Sequence, residues 1–261
     1  MAASTKSFHV RSTSFPSNSH PSLAGVQECL NLVKAWEACP SRKAQSAAGI
    51  GRLKDLYTSI SAFLQLPLTQ QALCGKECMV RELMDDFLCL MDACGMVKES
   101  LQHIREQHQS LHSILRRSDS GLETAISAYQ CSRKRMKKDM VKCQRLLTSV
   151  EKHVSSSKDN NDMVDHVFIE VRAVTVATIS LLSSILSGSK TTQSIFSRLL
   201  SSKNRGASEI EKADVAIFRL YGRSSNRVKE DDARAVQRQT EALGISLKET
   251  ELQLEDVWVL A

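Results

Sequence analysis

Proline is missing from most of this chain, since all four prolines lie within the first 67 of its 261 residues. Because proline breaks the interior of a helix, its absence after Pro67 leaves the rest of the chain free to form long helices. Aromatic residues make up only 5% of the sequence. This composition favours aliphatic packing between helices over a β-sheet core. We therefore expect an all-α protein.

The chain has only a small excess of positive charge, and it has few long apolar runs. The 35 Lys and Arg residues are interspersed with 29 acidic residues, for a formal net charge of +6. This balance excludes a strongly basic nucleic-acid binder, and we expect no nucleic-acid partner. Segment 163–187 is apolar on most sides, but its uncharged part, 173–189, is shorter than the roughly 20 residues that span a bilayer. We interpret it as a central bundle helix.

The eight cysteines include no Cys-x-x-Cys pair. Zinc sites favour a short loop between paired thiolates, so we expect free thiols in a reducing compartment, without a metal or other cofactor. His108 and His112 are four residues apart, a spacing at which two ligands share a helix face. Because His108 falls on an apolar stripe, we interpret it as a core histidine.

Apolar residues recur at alternating steps of three and four in two long segments, which predicts two amphipathic helices. The first stripe is Val80, Leu83, Phe87, Leu90, Cys94, Val97, Leu101, Ile104, His108, Leu111 and Leu115. The second is Leu122, Ile126, Tyr129, Arg133, Met136, Met140, Cys143, Leu147, Val150 and Val154, interrupted only by Arg133. A seven-residue repeat of this length predicts left-handed, coiled-coil-like packing. With the short connection 116–121, the stripes predict an antiparallel helical hairpin.

Further helices are expected near residues 22–38, 43–65, 163–187, 193–202 and 207–221, and from about 228 to the end. The last of these has its own stripe, which we expect to close the bundle: Val236, Thr240, Leu243, Leu247, Thr250, Leu254 and Val257. The sequence thus predicts an elongated helical bundle over residues 22–261, formed as a single domain. Pro40 and Pro67 interrupt the early helices.

Residues 1–21 form a basic tail rich in serine and threonine, which cannot bury enough apolar surface to fold alone. We expect this tail to be disordered. Within it, Arg11 lies three residues before Ser14 and Pro16 lies two after, the pattern that 14-3-3 proteins bind once the serine is phosphorylated. The alternatives are a plain linker and a chloroplast-type transit peptide, which has a similar composition.

A run of basic residues falls within the second stripe: Arg133, Lys134, Arg135, Lys137, Lys138 and Lys142. The candidate roles are a nuclear signal, a contact with anionic lipid and a contact with nucleic acid. No aromatic residue accompanies the run to stack on bases. A solvated helix face is the simplest interpretation.

Three segments also resemble the plant BYPASS-type family: HVRSTSFPSNSHP at 9–21, LQLPLTQQAL at 64–73 and SRKRMKK at 132–138. The similarity extends over nearly the whole chain in the same order. It implies a land-plant protein linked to root and shoot development, with no established enzymatic activity. It also implies a longer Leu- and Arg-rich final helix than the one that ends at Ala261.

From the residues and the resemblance together we expect a non-enzymatic helical interaction protein in the cytoplasm, with no catalytic residues. Protein partners are expected, including a 14-3-3 protein bound to phosphorylated Ser14. One alternative is a peripheral protein on an anionic membrane surface. The other is an enzyme or small-molecule binder with a pocket between helices near 173–187.

Overall fold

The computed structural model describes residues 21–41, 46–117, 121–156, 163–188, 209–222 and 230–260. Within these ranges the chain forms eight α-helices and no β-strand, which confirms the all-α class. The helices are α1 (Pro21–Glu37), α2 (Ser46–Leu64), α3 (Pro67–Leu73), α4 (Glu77–Arg117), α5 (Leu122–Ser156), α6 (Met163–Ser187), α7 (Glu209–Gly222) and α8 (Glu230–Leu260).

Helices α4 and α5 form the predicted antiparallel hairpin. With 41 residues, α4 is about 60 Å long. From Leu90 to Leu111 every member of the first apolar stripe is buried, as is every member of the second from Ile126 to Val154. Burial of both stripes explains why these helices pack side by side. The left-handed coiled-coil geometry remains a prediction.

Helix α6 lies at the centre of the bundle and contacts α1, α2, α4 and α5. Its side chains are buried on several sides, including Phe168, Val171, Ile179 and Leu182. Length and composition alone would allow α6, among the helices described, to cross a membrane. In this structure, 61% of its most apolar stretch is buried inside the bundle.

Helix α8 covers the side of the bundle formed by α2 and α4. Six members of its predicted stripe are buried: Val236, Leu243, Leu247, Thr250, Leu254 and Val257. Salt bridges at the edges of α8 connect Lys98 to Glu255 at 2.9 Å and Lys54 to Asp256 at 2.7 Å. The last helix therefore closes the bundle as expected.

In the early part of the chain, the helices α2 and α3 differ from the prediction. Helix α2 is described from Ser46 to Leu64, one residue short of the expected end, and its expected start at 43 lies outside the described residues. Pro67 begins the short helix α3, which we did not predict, because proline at the first helical position needs no backbone N–H. The helix expected near 193–202 lies outside the described residues.

Candidate interaction surface on helix α5

The outer side of α5 carries most of the basic run predicted from the sequence. Because α5 packs against α4 and α6, its 3.6-residue period leaves one side facing solvent. Six cations lie there, a set that we call the cationic face: Lys134, Arg135, Lys137, Lys138, Lys142 and Arg145. Arg145 was missed by the sequence analysis because it lies beyond the uninterrupted basic run. It follows Lys138 by seven residues and so shares its side of the helix.

Few carboxylates neutralise the cationic face. Asp139 lies 3.2 Å from Lys142 and 3.9 Å from Arg135. Within the described parts of the chain, no carboxylate is within ion-pair distance of the other four cations, which are Lys134, Lys137, Lys138 and Arg145. The face therefore presents a concentrated positive charge on a rigid helix, which favours a negatively charged partner.

Arg133 does not belong to this surface, which corrects its inclusion in the basic patch. Its side chain is only 7% exposed and points into the bundle. The guanidinium donates to both carboxylate oxygens of Asp214 on α7, at 2.6 Å from Nη2 and 3.0 Å from Nε. The physical reason is periodicity, because Arg133 occupies a core position of the second stripe and a buried guanidinium needs a counter-ion.

The Arg133 guanidinium also connects the end of α6 to α7. Its Nη1 donates to the carbonyl of Leu186 at 2.6 Å, in the last turn of α6, where a cation also interacts favourably with the helix dipole. Tyr129 donates to Asp214 at 2.8 Å. Burial, followed by the charge of Asp214, raises the pKa of Tyr129 well above its usual value and keeps the hydroxyl protonated as a donor. These groups form a structural polar network linking α5, α6 and α7.

A second buried polar network joins α4, α5 and α6. Asp86 on α4 accepts from Arg172 on α6 and contacts His153 Nδ1 on α5 at 2.7 Å. Nearer the start of α6, Lys76 donates to Asp165 at 2.8 Å. These contacts were not predicted from the sequence, although Arg172 is the only Lys or Arg within α6 and so gave a signal.

His108 is a core residue, as predicted. It is 2% exposed, and burial lowers the pKa of its imidazole from 6.5 to about 4, with a further contribution from His112. Its neutral form is therefore the one present at pH 7. Among the residues that the structure describes, no cluster of three His, Cys, Asp or Glu has the geometry to hold a metal ion.

The eight cysteines are free thiols in this structure. Cys94 and Cys143 are buried in the α4–α5 hairpin, whereas Cys74, Cys78 and Cys131 are exposed. Burial raises the pKa of Cys94 to about 12 and that of Cys143 to about 11. Both of these thiols are therefore protonated and poorly nucleophilic at neutral pH.

The predicted docking motif Arg11, Ser14 and Pro16 lies outside the described residues, which begin at Pro21.

Comparison with known proteins supports the resemblance seen in the sequence. A family model described as Protein BPS1 matches residues 49–258, a range that contains α3 to α7 in full and most of α2 and α8. Neither the curated proteins nor the solved structures give a significant match. The matched range includes the cationic face and both buried polar networks. The chain therefore belongs to the plant family described as Protein BPS1, and this membership implies a protein related to plant development.

Proposed function

We propose that this protein acts in plant development as a non-enzymatic helical interaction protein, and that the cationic face of α5 binds an acidic partner protein. The observation that carries this proposal is the set of four cations without a described carboxylate partner. Elsewhere, Lys54 and Lys98 on the bundle surface pair with acidic residues of α8. Arg81 on α4 and Lys248 on α8 are also exposed cations without a described carboxylate partner. What distinguishes α5 is that its four such cations lie within about three turns, on one side of the helix. This clustering is what a surface that binds an external negative charge would have.

The geometry of the cationic face suits an extended or helical acidic segment. From Lys134 to Arg145 the face is about 17 Å long at the rise of an α-helix. Lys134, Lys138 and Arg145 follow one another at steps of four and seven residues, along one side of α5. Such a row accelerates encounter with an acidic partner and orients it.

A non-enzymatic role is supported by how the buried charged groups are used. Asp86 and Arg133 are both held in ion pairs that join different helices. Such pairs connect elements of the bundle, whereas a catalytic group must be accessible to a substrate. We place the protein in the cytoplasm, and phosphorylated Ser14 is proposed as a separate docking site for a 14-3-3 protein.

A second candidate function is peripheral binding to an anionic membrane. Val141, which is 50% exposed, lies among the cations of α5. An apolar side chain surrounded by lysines is typical of helices that lie on anionic lipid surfaces. A single valine contributes little insertion energy, so we favour the protein partner.

Affinity purification from plant tissue tests the proposal with two matched baits. The first bait reverses the cationic face with Lys134→Glu, Lys138→Glu and Arg145→Glu. The control bait makes the same change in net charge on α4, with Arg81→Glu, Arg116→Glu and Arg117→Glu, all at exposed positions. We expect an acidic protein that the parent and the control retain and that the first bait loses.

A purified candidate partner should then bind the parent directly, with an affinity that falls as salt rises. Equal retention by both variant baits would contradict the proposal. Flotation with phosphatidylserine vesicles distinguishes membrane binding, the second candidate function, from binding to an acidic protein. Only a membrane-binding face would bring the parent protein to the vesicles. Binding to vesicles but to no acidic protein would favour the membrane role.

A further inference from the structure

The outer side of α8 carries a row of exposed apolar side chains. Ile245, Leu252 and Val259 are 67%, 56% and 71% exposed. They are spaced seven residues apart, which keeps them on nearly one line along the helix. The buried stripe of α8 faces α2 and α4, so this row is a second apolar seam on the opposite, solvent side.

Opposite charges alternate along the same seam. Lys248 lies between Ile245 and Leu252, and Glu255 lies between Leu252 and Val259. Both charged residues are exposed. Glu255 contacts Lys98 at 2.9 Å but keeps 52% of its side chain exposed. Its carboxylate can therefore accept a hydrogen bond from a second cation. Apolar residues at every seventh position, with charges between them, are typical of a helix that pairs with another helix.

We propose that this seam binds a second copy of the chain, with the two α8 helices antiparallel. A twofold axis beside Leu252 places this leucine against its own copy. The same axis brings Ile245 next to the partner's Val259 and Lys248 opposite the partner's Glu255. In a parallel pair the opposite flanks of the seam would meet, which brings Glu255 beside the partner's Asp256. The antiparallel arrangement instead gives Glu255 a cation, because Lys248 and Glu255 pair with each other on both sides of the axis.

The other flank of the seam limits the strength of the contact. Glu249 and Asp256 lie there, and the antiparallel pair brings Glu249 opposite the partner's Asp256. Lys54 of the same chain lies 2.7 Å from Asp256 and offsets part of this negative charge. Three apolar residues per chain form a small interface, so the dimer is weak and depends on concentration.

Sedimentation equilibrium of the full chain, from about 10 µM to about 1 mM, tests the dimer over the range expected of a weak interface. The parent protein should shift from monomer to dimer as its concentration rises. Leu252→Glu should lower the association constant by about tenfold or more, because it puts two carboxylates against each other. Met84→Glu is the matched control, since Met84 is 61% exposed on α4, and it should leave association unchanged.

Charge reversal tests the antiparallel register. Lys248→Glu should weaken the dimer, and the double variant Lys248→Glu with Glu255→Lys should restore it, because the pairing between copies is re-formed with its charges exchanged. A parent that stays monomeric throughout overturns the proposal, as does a dimer that tolerates Leu252→Glu. Failure of the double variant to restore association overturns the register. None of these outcomes bears on the cationic face, which lies on α5.

Discussion

Asp86 on α4 and Arg172 on α6 form an ion pair in which only 2% and 5% of the two side chains are exposed. The pair lies between the two helices at the centre of the bundle, with His153 at its solvent edge. Taking both charges out of water costs much of what their attraction contributes. The pair is therefore more important for matching the two helices to each other than for net stability.

Asp86→Asn should destabilise the protein by about 3–5 kcal/mol, because it leaves the buried Arg172 without a counter-ion. The double variant Asp86→Leu with Arg172→Met removes both charges and should be clearly less destabilised than the single variant. Denaturant unfolding followed by circular dichroism measures both free energies of unfolding. If the double variant is the less stable of the two, the ion pair contributes net stability and this account of its energetics is wrong.

Arg133 and Asp214 lead to a local prediction for α7. Arg133→Lys keeps the charge but loses the two-pronged guanidinium contact with the carboxylate. Backbone amides of 209–222 should then exchange with solvent about tenfold faster or more, which corresponds to about 1.4 kcal/mol of lost protection. Lys134→Met, one residue along on the exposed side, is the control and should leave this exchange unchanged. Equal exchange in all three proteins would show that Arg133 does not hold α7.

The sequence was enough to predict every described helix except α3, but not the polar contacts between the helices. Periodicity alone identified the buried faces of α4, α5 and α8, because each apolar stripe must be covered by a neighbour. Arg133 illustrates the limit. Its position on the stripe indicated burial, yet its neighbours in sequence suggested a surface patch. The deciding partner, Asp214, is 81 residues away, and no local pattern connects the two.

The same limit applies to Asp86 and to the cationic face. Asp86 is buried while the adjacent Phe87, a member of the first apolar stripe, is only partly buried. This shift depends on where α6 approaches α4, which spacing within α4 cannot reveal. For the cationic face, sequence predicted which residues are basic. Which of them lack an acidic neighbour depends on the packing of other helices, so it required the structure.

His108 makes stability depend on pH. Burial lowers its pKa from 6.5 to about 4 in the folded protein, so the unfolded chain binds more protons between these values. The stabilisation is fully present above pH 6.5 and is lost as pH falls towards 4, with a total of about 3 kcal/mol. His108→Gln cannot take up this proton and should flatten the decline. His166→Gln, at an exposed position, is the control.

Urea unfolding at several pH values between 4 and 7 measures this effect as the slope of the unfolding free energy. The result to look for is the difference in slope between the two histidine variants, since acidic groups contribute equally to both. Identical slopes would show that His108 is not the group that titrates.

The tail leads to a prediction that does not depend on the bundle. A peptide of residues 6–21 phosphorylated at Ser14 should bind a 14-3-3 protein, because the phosphate supplies the charge that its basic cluster recognises. The unphosphorylated peptide should not bind. Isothermal titration calorimetry compares the two directly, and equal heats for both would remove the docking hypothesis. In the full chain, Ser14→Ala should abolish docking and leave the helical content unchanged.

Gly49 on α2 packs directly against the indole of Trp36 on α1. A Cβ added at Gly49 would lie 2.2 Å from the Trp36 ring, and the ring is 1% exposed with little room to move. Gly49→Ala should therefore destabilise the protein by roughly 1–3 kcal/mol, although alanine favours a helix. Gly25→Ala is the matched control on α1, where an added Cβ meets nothing within 4 Å. It should stabilise by up to about 1 kcal/mol.

Combining Gly49→Ala with Trp36→Leu tests whether the clash is the cause. Trp36→Leu is destabilising alone, because it removes a large buried side chain. In that background, however, Gly49→Ala should be much less destabilising than in the parent, since the smaller side chain leaves space for the new methyl group. Thermal unfolding of the four proteins gives the coupling energy. If Gly49→Ala has the same effect in both backgrounds, the contact between α1 and α2 does not depend on the absence of a side chain at residue 49.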